Sequence, residues 1–278
     1  MDTVAIFGVG LIGGSFALAL RKAGFAGRIV GVSSPETIER AVDLKVIDAA
    51  ASPEQAARSA DLIYLAQPIL RIIECLPDLS AWVQRGALVT DAGSTKAEIV
   101  AQAARVFPPG QFLGGHPMAG RERRGVEAAE ADLFAGRPYI LTPGSAEDLD
   151  RANARELLGW IQKIGARPVT LDAAEHDRIV AFTSHLPQLA STALAALLES
   201  RGQPKAGVFG PALVDSTRLA LSSYDIWGDI LATNSGPIQD ALRAYIAQLE
   251  EFLQNFESQA MAVRFSRAAK LAAYLRDS

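Results

Sequence analysis

Cysteine and histidine are scarce in this chain of 278 residues, which holds one of the former and three of the latter. A single thiol, Cys75, can form no internal disulfide, and its neighbours Leu70, Ile72, Ile73 and Leu76 mark it as a buried, inert side chain. So few soft ligands also argue against a structural zinc site, and no metal is expected. No apolar run approaches the roughly 20 residues that cross a bilayer, and no signal-peptide pattern precedes the apolar segment that begins at Thr3. A cytoplasmic protein with no membrane partner is the expectation. Excess charge of either sign is missing too: the net charge is −4 with 21% charged residues, so nucleic acid is not an expected partner.

What the chain does contain is apolar material, 49% of its residues, enough for two ordinary domains with separate cores. Over the first 170 residues short β-type runs alternate with helical patterns. The strand candidates are 3–8, 28–33, 61–66, 87–91, 111–115, 138–142 and 167–171. Several are almost continuously apolar, as strands covered on both faces are. This alternation predicts a parallel, doubly wound α/β sheet of the Rossmann type. Beyond residue 172 the strand signals stop, and 173–200, 205–222, 237–254 and 257–276 are rich in alanine and leucine at helical spacing. The reading is a dinucleotide-binding domain, 1–171, followed by an all-α domain, 172–278, that binds substrate and dimerises. The segment from Leu186 to Leu198 is apolar all round, as a helix buried between partners is, and a homodimer is expected.

Gly8-Val9-Gly10-Leu11-Ile12-Gly13 follows the first strand and opens a helix, the setting in which G-x-G-x-x-G signifies a dinucleotide site. Gly8 permits the tight turn, Gly10 the approach of the pyrophosphate, and Gly13 close helix–strand contact. Leu11 and Ile12 begin the helix whose N–H groups face the phosphates. At the end of the second strand, where NAD-preferring enzymes usually carry an acid on the ribose, this chain has Ser33. Ser33, Ser34 and Thr37 can donate to a 2′-phosphate, with Arg40 a turn further on. The segment favours NADP over NAD, although Ser34-Pro35 also reads as a plain helix N-cap.

Three further segments carry chemistry. Asp91-Ala92-Gly93-Ser94-Thr95-Lys96 follows the fourth strand candidate, at the carboxyl edge of the sheet where ligands bind. Gly114-Gly115-His116-Pro117-Met118-Ala119-Gly120 follows the fifth, and Thr183-Ser184-His185-Leu186-Pro187-Gln188 lies in the first long helix of the second half. His116 is read as a loop residue and His185 as a residue at a proline kink. His176, between Glu175 and Asp177, reads as part of a solvated face and receives no role.

In this order, and with Asp215-Ser216-Thr217-Arg218 after them, these motifs resemble the prephenate/arogenate dehydrogenase family of tyrosine biosynthesis over nearly the whole chain, G-G-H-P-M-A-G being the most distinctive part. The resemblance implies oxidation of a cyclohexadienol with hydride transfer to NADP or NAD and loss of CO2. It gives His116 the part of base toward the ring hydroxyl, which suits a neutral imidazole. It puts Ser94 beside His116, and gives His185 and Arg218 the substrate carboxylate, with Glu122 a further substrate contact. Ser94 also reads as an N-cap for 95–106, and Arg218 also as an i, i+3 partner of Asp215. Asp215, as a partner for an ammonium group, tilts the choice slightly toward arogenate over prephenate.

The chain departs from the family pattern at Arg121, where a small polar residue is common, and at Gly228 after Trp227, where arginine is frequent. Two other readings stay open. A β-hydroxyacid dehydrogenase or imine reductase would want a lysine in the C-terminal helices, where Lys205 stands in a turn-like stretch. A non-catalytic NADP-binding sensor would need neither a base nor a carboxylate clamp.

Overall fold

In the computed structural model, which describes residues 1–120, 123–202 and 207–277, the apolar runs of the first half pair edge to edge in one sheet of eight strands. They are β1 (Thr3–Phe7), β2 (Arg28–Val32), β3 (Ala49–Ala50), β4 (Leu62–Leu65), β5 (Leu88–Asp91), β6 (Phe112–Pro117), β7 (Pro138–Thr142) and β8 (Arg167–Thr170). Their order is β3-β2-β1-β4-β5-β6-β7-β8. Helices α1 (Leu11–Lys22), α2 (Pro35–Asp43), α3 (Pro53–Ser59), α4 (Ile69–Trp82), α5 (Ala97–Val106) and α6 (Ala152–Lys163) alternate with them. The sheet switches direction of growth between β1 and β4, the crevice where such folds bind dinucleotides.

The sheet departs from the all-parallel expectation at β7, which runs antiparallel to β6, with β8 parallel to β7. A parallel return needs a crossover helix, and the connection after β6 holds, among the described residues, only the short 3₁₀ turn Val126–Ala128. The antiparallel partner also lengthens β6: His116 pairs with Ile140 and Pro117 with Tyr139. His116 is therefore a strand residue rather than the loop residue expected, and it owes its fixed backbone to β7. The two-residue β3 was not anticipated either.

After β8 the described chain is helical: α7 (Ala173–Val180), α8 (Leu186–Ser200), α9 (Pro211–Thr217), α10 (Tyr224–Thr233), α11 (Ser235–Gln254) and α12 (Gln259–Asp277). The single long helix expected over 173–200 is one rod with a widened π-type turn, Ala181–His185, in its middle. Pro187 accounts for it. Its nitrogen has no hydrogen to donate, and its ring pushes on the carbonyl four residues back, so the preceding turn opens.

Two buried clusters fill the two faces of the sheet. On one, Phe16 of α1 stacks on Tyr64 of β4 with ring centroids 4.0 Å apart. On the other, Ile63 and Leu65 of β4 share a cluster with Ile72 and Leu76 of α4 and with Ala181, Ile230, Ile238 and Ala241 from the helical half. That half thus packs on the sheet's own core. Two hydrogen bonds reinforce the contact: Leu70 N–H donates to Asp229 at 3.1 Å, and the Thr95 and Thr233 hydroxyls meet at 2.7 Å. By contrast α12 buries none of its residues, and Phe265, Leu271 and Tyr274 lie on its exposed surface.

Candidate active site

The glycine loop is shaped by close approach. Gly8 has φ near +89°, and a Cβ there would stand 2.6 Å from the Ala66 carbonyl oxygen. A Cβ at Gly13 would collide with the Gly8 carbonyl and the Ile6 side chain, so α1 lies against the strand only because both residues are glycine. Beside Gly10 there is no protein atom within 4 Å of a built Cβ, which leaves room for a ligand. Gly10 caps α1 without a side-chain bond, so the N–H groups of the first turn, which Leu11 and Ile12 begin, are free to receive an anion. These residues fit a dinucleotide pyrophosphate.

At the end of β2, Ser33 and Ser34 are exposed and no carboxylate occupies the strand end. The capping role of Ser34 is realised: its Oγ accepts from Thr37 N–H at 3.4 Å and donates to Thr37 Oγ1 at 2.9 Å. Arg40 reaches sideways, its Nε donating to Glu127 Oε1 at 3.1 Å.

Ser94 lines a pocket of about 270 Å³ with Ile12, Gln67, Gly93, Asp225 and Asp229, between the glycine loop, the carboxyl end of β5 and α10 of the helical half. It is not the N-cap of α5. That position falls to Lys96, whose side chain makes no capping bond. The helix start is instead capped from the other half of the molecule: Asp177 of α7 accepts from Lys96 N–H at 2.7 Å and from Ala97 N–H at 2.9 Å. An external carboxylate at a helix N-terminus satisfies orphan donors and meets the positive end of the helix dipole.

The same carboxylate organises the histidines. His176, the residue expected on a solvated face, is fully buried. Its Nδ1 lies 2.8 Å from Asp177 Oδ1, and its Nε2 lies 2.8 Å from Nδ1 of His116. His116 thus stands at the junction of the two halves, half-buried, its ring edge-on to that of His176. Asp91 ties the segments carrying Ser94 and His116 together, accepting from Gly93 N–H at 2.8 Å and from Gly115 N–H at 3.0 Å. Asp91 also pairs with Lys96, both side chains fully buried. Burial, then the neighbouring His176, Lys96 and His185, hold the His116 imidazole well below its usual pKa. Burial likewise lowers the Lys96 ammonium, against the pull of Asp91.

His185 closes the π-type turn and is buried, edge-on to Trp227 with centroids 5.7 Å apart. Its Nδ1 lies 3.3 Å from Nδ2 of Asn234, which also donates to the Asp177 backbone carbonyl at 2.8 Å. Burial lowers its pKa to about 4, so it is a neutral ring at neutral pH. Arg218 and Asp215 are exposed, where α9 passes into the turn Arg218–Leu221. That turn is moored one helical turn beyond His185, with Gln188 Nε2 donating to the Leu219 carbonyl at 2.7 Å. Glu122 and Arg121 lie outside the described residues, as does Lys205.

Sequence reasoning missed His176, Asp177, Lys96 and Asn234. A signal existed for the first two: His176, Asp177, Val180, Ala181 and His185 recur at helical spacing, and all are buried. The polar Glu175-His176-Asp177 run concealed that face.

Comparison with known proteins identifies the frame. Residues 16–169 match the model of the prephenate dehydrogenase nucleotide-binding domain, and residues 172–275 that of the prephenate dehydrogenase dimerization domain. A prephenate dehydrogenase of Bacillus subtilis is 34% identical over 283 residues, covering 99% of this chain and 76% of that protein. The crystal structure of prephenate dehydrogenase from A. aeolicus in complex with hydroxyphenyl propionate and NAD+ is 32% identical with a TM-score of 0.84, covering 100% of this chain and 96% of that one. The Synechocystis arogenate dehydrogenase structure is 28% identical, with a TM-score of 0.80 and 99% of both chains covered. This chain belongs to the prephenate dehydrogenase family.

Proposed function

We propose that this enzyme oxidises arogenate or prephenate at the ring carbinol carbon and releases CO2, the last redox step of tyrosine synthesis. NAD(P), when bound, supplies the acceptor for the hydride. The observation that carries the reading is His116: an uncharged imidazole, held by β6 and β7 at the junction of the halves and bonded on its Nδ1 side to His176. Its Nε2 takes the hydroxyl proton as the carbinol C–H electrons leave as hydride. The C–CO2 bonding pair then enters the ring, and aromatisation drives CO2 away. Little else is asked of the protein beyond position and electrostatics.

Ser94, in the pocket between the glycine loop and α10, orients the hydroxyl and the nicotinamide. His185, being neutral, contributes a hydrogen bond to the substrate carboxylate rather than a charge, which leaves the charge to Arg218. Glu122 is a further substrate contact, as the family resemblance implies. Asp215 is the partner for an ammonium group, which favours arogenate. For the coenzyme we infer NADP ahead of NAD, since the exposed Ser33 and Ser34 offer donors, with Thr37 beside them, and no acid stands at the end of β2 itself. Arg40 can join them only by leaving Glu127. The enzyme works as a homodimer through its helical half. The helix α12, none of whose residues is fully buried, supports this, as does the match to a dimerization domain.

Three outcomes follow. His116→Ala lowers kcat by about 10²–10⁴-fold, the usual worth of a general base, while the Kd for NADPH, read by its fluorescence, stays as in the parent; a near-normal rate removes the base assignment. The acid limb of the kcat/KM profile lies below pH 6.5, because the active form is the neutral ring and its pKa is depressed. A limb centred above 6.5 would contradict the buried, Lys96-flanked setting. Assayed at equal concentration with the same coenzyme, arogenate turns over faster than prephenate, and Asp215→Asn narrows the gap between the two substrates. Equal rates in the parent enzyme would remove the Asp215 role.

A further inference from the structure

Three histidines and one asparagine meet around Asp177, and their bonds have only one consistent set of donors and acceptors when the rings are neutral. We propose that Asp177 fixes the two histidines of the site in opposite tautomers, through His176 on one side and Asn234 on the other, so that His116 presents a lone pair and His185 presents an N–H. The proposal deepens the assignment of His116 as the base and rests on it for its catalytic meaning.

The first arm begins at the carboxylate, which can only accept. Asp177 Oδ1, 2.8 Å from His176 Nδ1, therefore requires the proton on that nitrogen. A neutral His176 then keeps a lone pair on Nε2. The 2.8 Å contact from this Nε2 to His116 Nδ1 must be filled by a proton on His116. With Nδ1 protonated, a neutral His116 has its lone pair on Nε2, the nitrogen not engaged by His176 and the one a base needs. Asp177 cannot turn away, because Lys96 N–H and Ala97 N–H occupy its two oxygens from the N-terminus of α5.

The second arm begins at the Asp177 backbone carbonyl, another obligate acceptor. It fixes which end of the Asn234 amide faces it: Nδ2, at 2.8 Å. The second hydrogen of that amino group faces His185 Nδ1 at 3.3 Å, which must accept, and the single proton of a neutral His185 goes to Nε2. One residue, through its side chain and its carbonyl, thus sorts two chemically identical rings into an acceptor and a donor. His176, Asp177 and Asn234 are positioning residues, acting through the rings they hold.

The chain's own histidine count makes the test tractable. In uniformly labelled enzyme carrying no histidine tag, long-range ¹H–¹⁵N spectra at neutral pH report the protonation of six ring nitrogens, assigned with His116→Ala and His185→Ala. The expected pattern is protonated Nδ1 and bare Nε2 in His116 and His176, with the reverse in His185. His116 protonated on Nε2, or His185 on Nδ1, overturns the proposal. As an activity readout, His176→Leu lowers kcat about 10- to 100-fold, less than loss of the base itself, with KM and coenzyme affinity nearly unmoved. His176→Gln, whose carbonyl can still accept from His116 Nδ1, recovers most of that loss. Equal loss in the two variants means that His176 only fills space, and the proposal fails. The underlying base assignment fails separately, if His116→Ala remains active whatever the spectra show.

Discussion

The Asp177 carboxylate accepts three hydrogen bonds, two from the first turn of α5 in the nucleotide-binding half and one from its own neighbour His176. Without it α5 would begin uncapped in a buried setting, because Lys96 at its N-cap has no capping side chain and points instead to Asp91. An unsatisfied buried N–H costs about 1–3 kcal/mol, so removal of this one acceptor weakens the join between the halves as well as the support of His116. Joining the halves and supporting His116 are thereby one event: the His176 contact to that ring exists only when the helical half is seated on the sheet.

Charge distribution follows the same economy. Lys96, paired with Asp91 in the interior, opposes the protonation of His116, as do burial and the two other rings. Neither His116 nor His185 carries charge at neutral pH, so both rings act as neutral donors and acceptors. In the proposed function, fixed positive charge for the substrate carboxylates comes from Arg218, exposed on a turn moored to α8 near His185. That proposed arrangement separates proton transfer from anion recognition, and the depressed pKa of His116 keeps its ring neutral.

Much of this was readable from the residues alone. Strand–helix alternation, the glycine loop opening α1 and the shift to helical spacing after residue 172 each follow from local periodicity and turn chemistry, and the structure agrees with them. The segments carrying His116, Ser94 and His185 were legible because glycine and proline punctuate them. What failed was long-range. The direction of β7 is set by a connection with no sequence pattern of its own, and through it the extension of β6 over His116. Ser94 looked like a cap for α5, but the cap comes from Asp177, 80 positions beyond the Ala97 it caps. His176 looked solvated because its neighbours are charged, whereas Asp177 is itself buried and spent on backbone donors. A polar residue in a helix can be buried by a partner that the local sequence does not contain.

The most direct test is a crystal structure of the enzyme with NAD(P)+ and a 4-hydroxyphenyl product analogue, at a resolution that orients the rings. The account predicts the phenolic oxygen about 2.7–3.0 Å from His116 Nε2, with Nδ1 still on His176 and the carbon bearing that oxygen facing the nicotinamide. A phenolic oxygen bound elsewhere, or a His116 ring turned so that Nε2 meets His176, would contradict it.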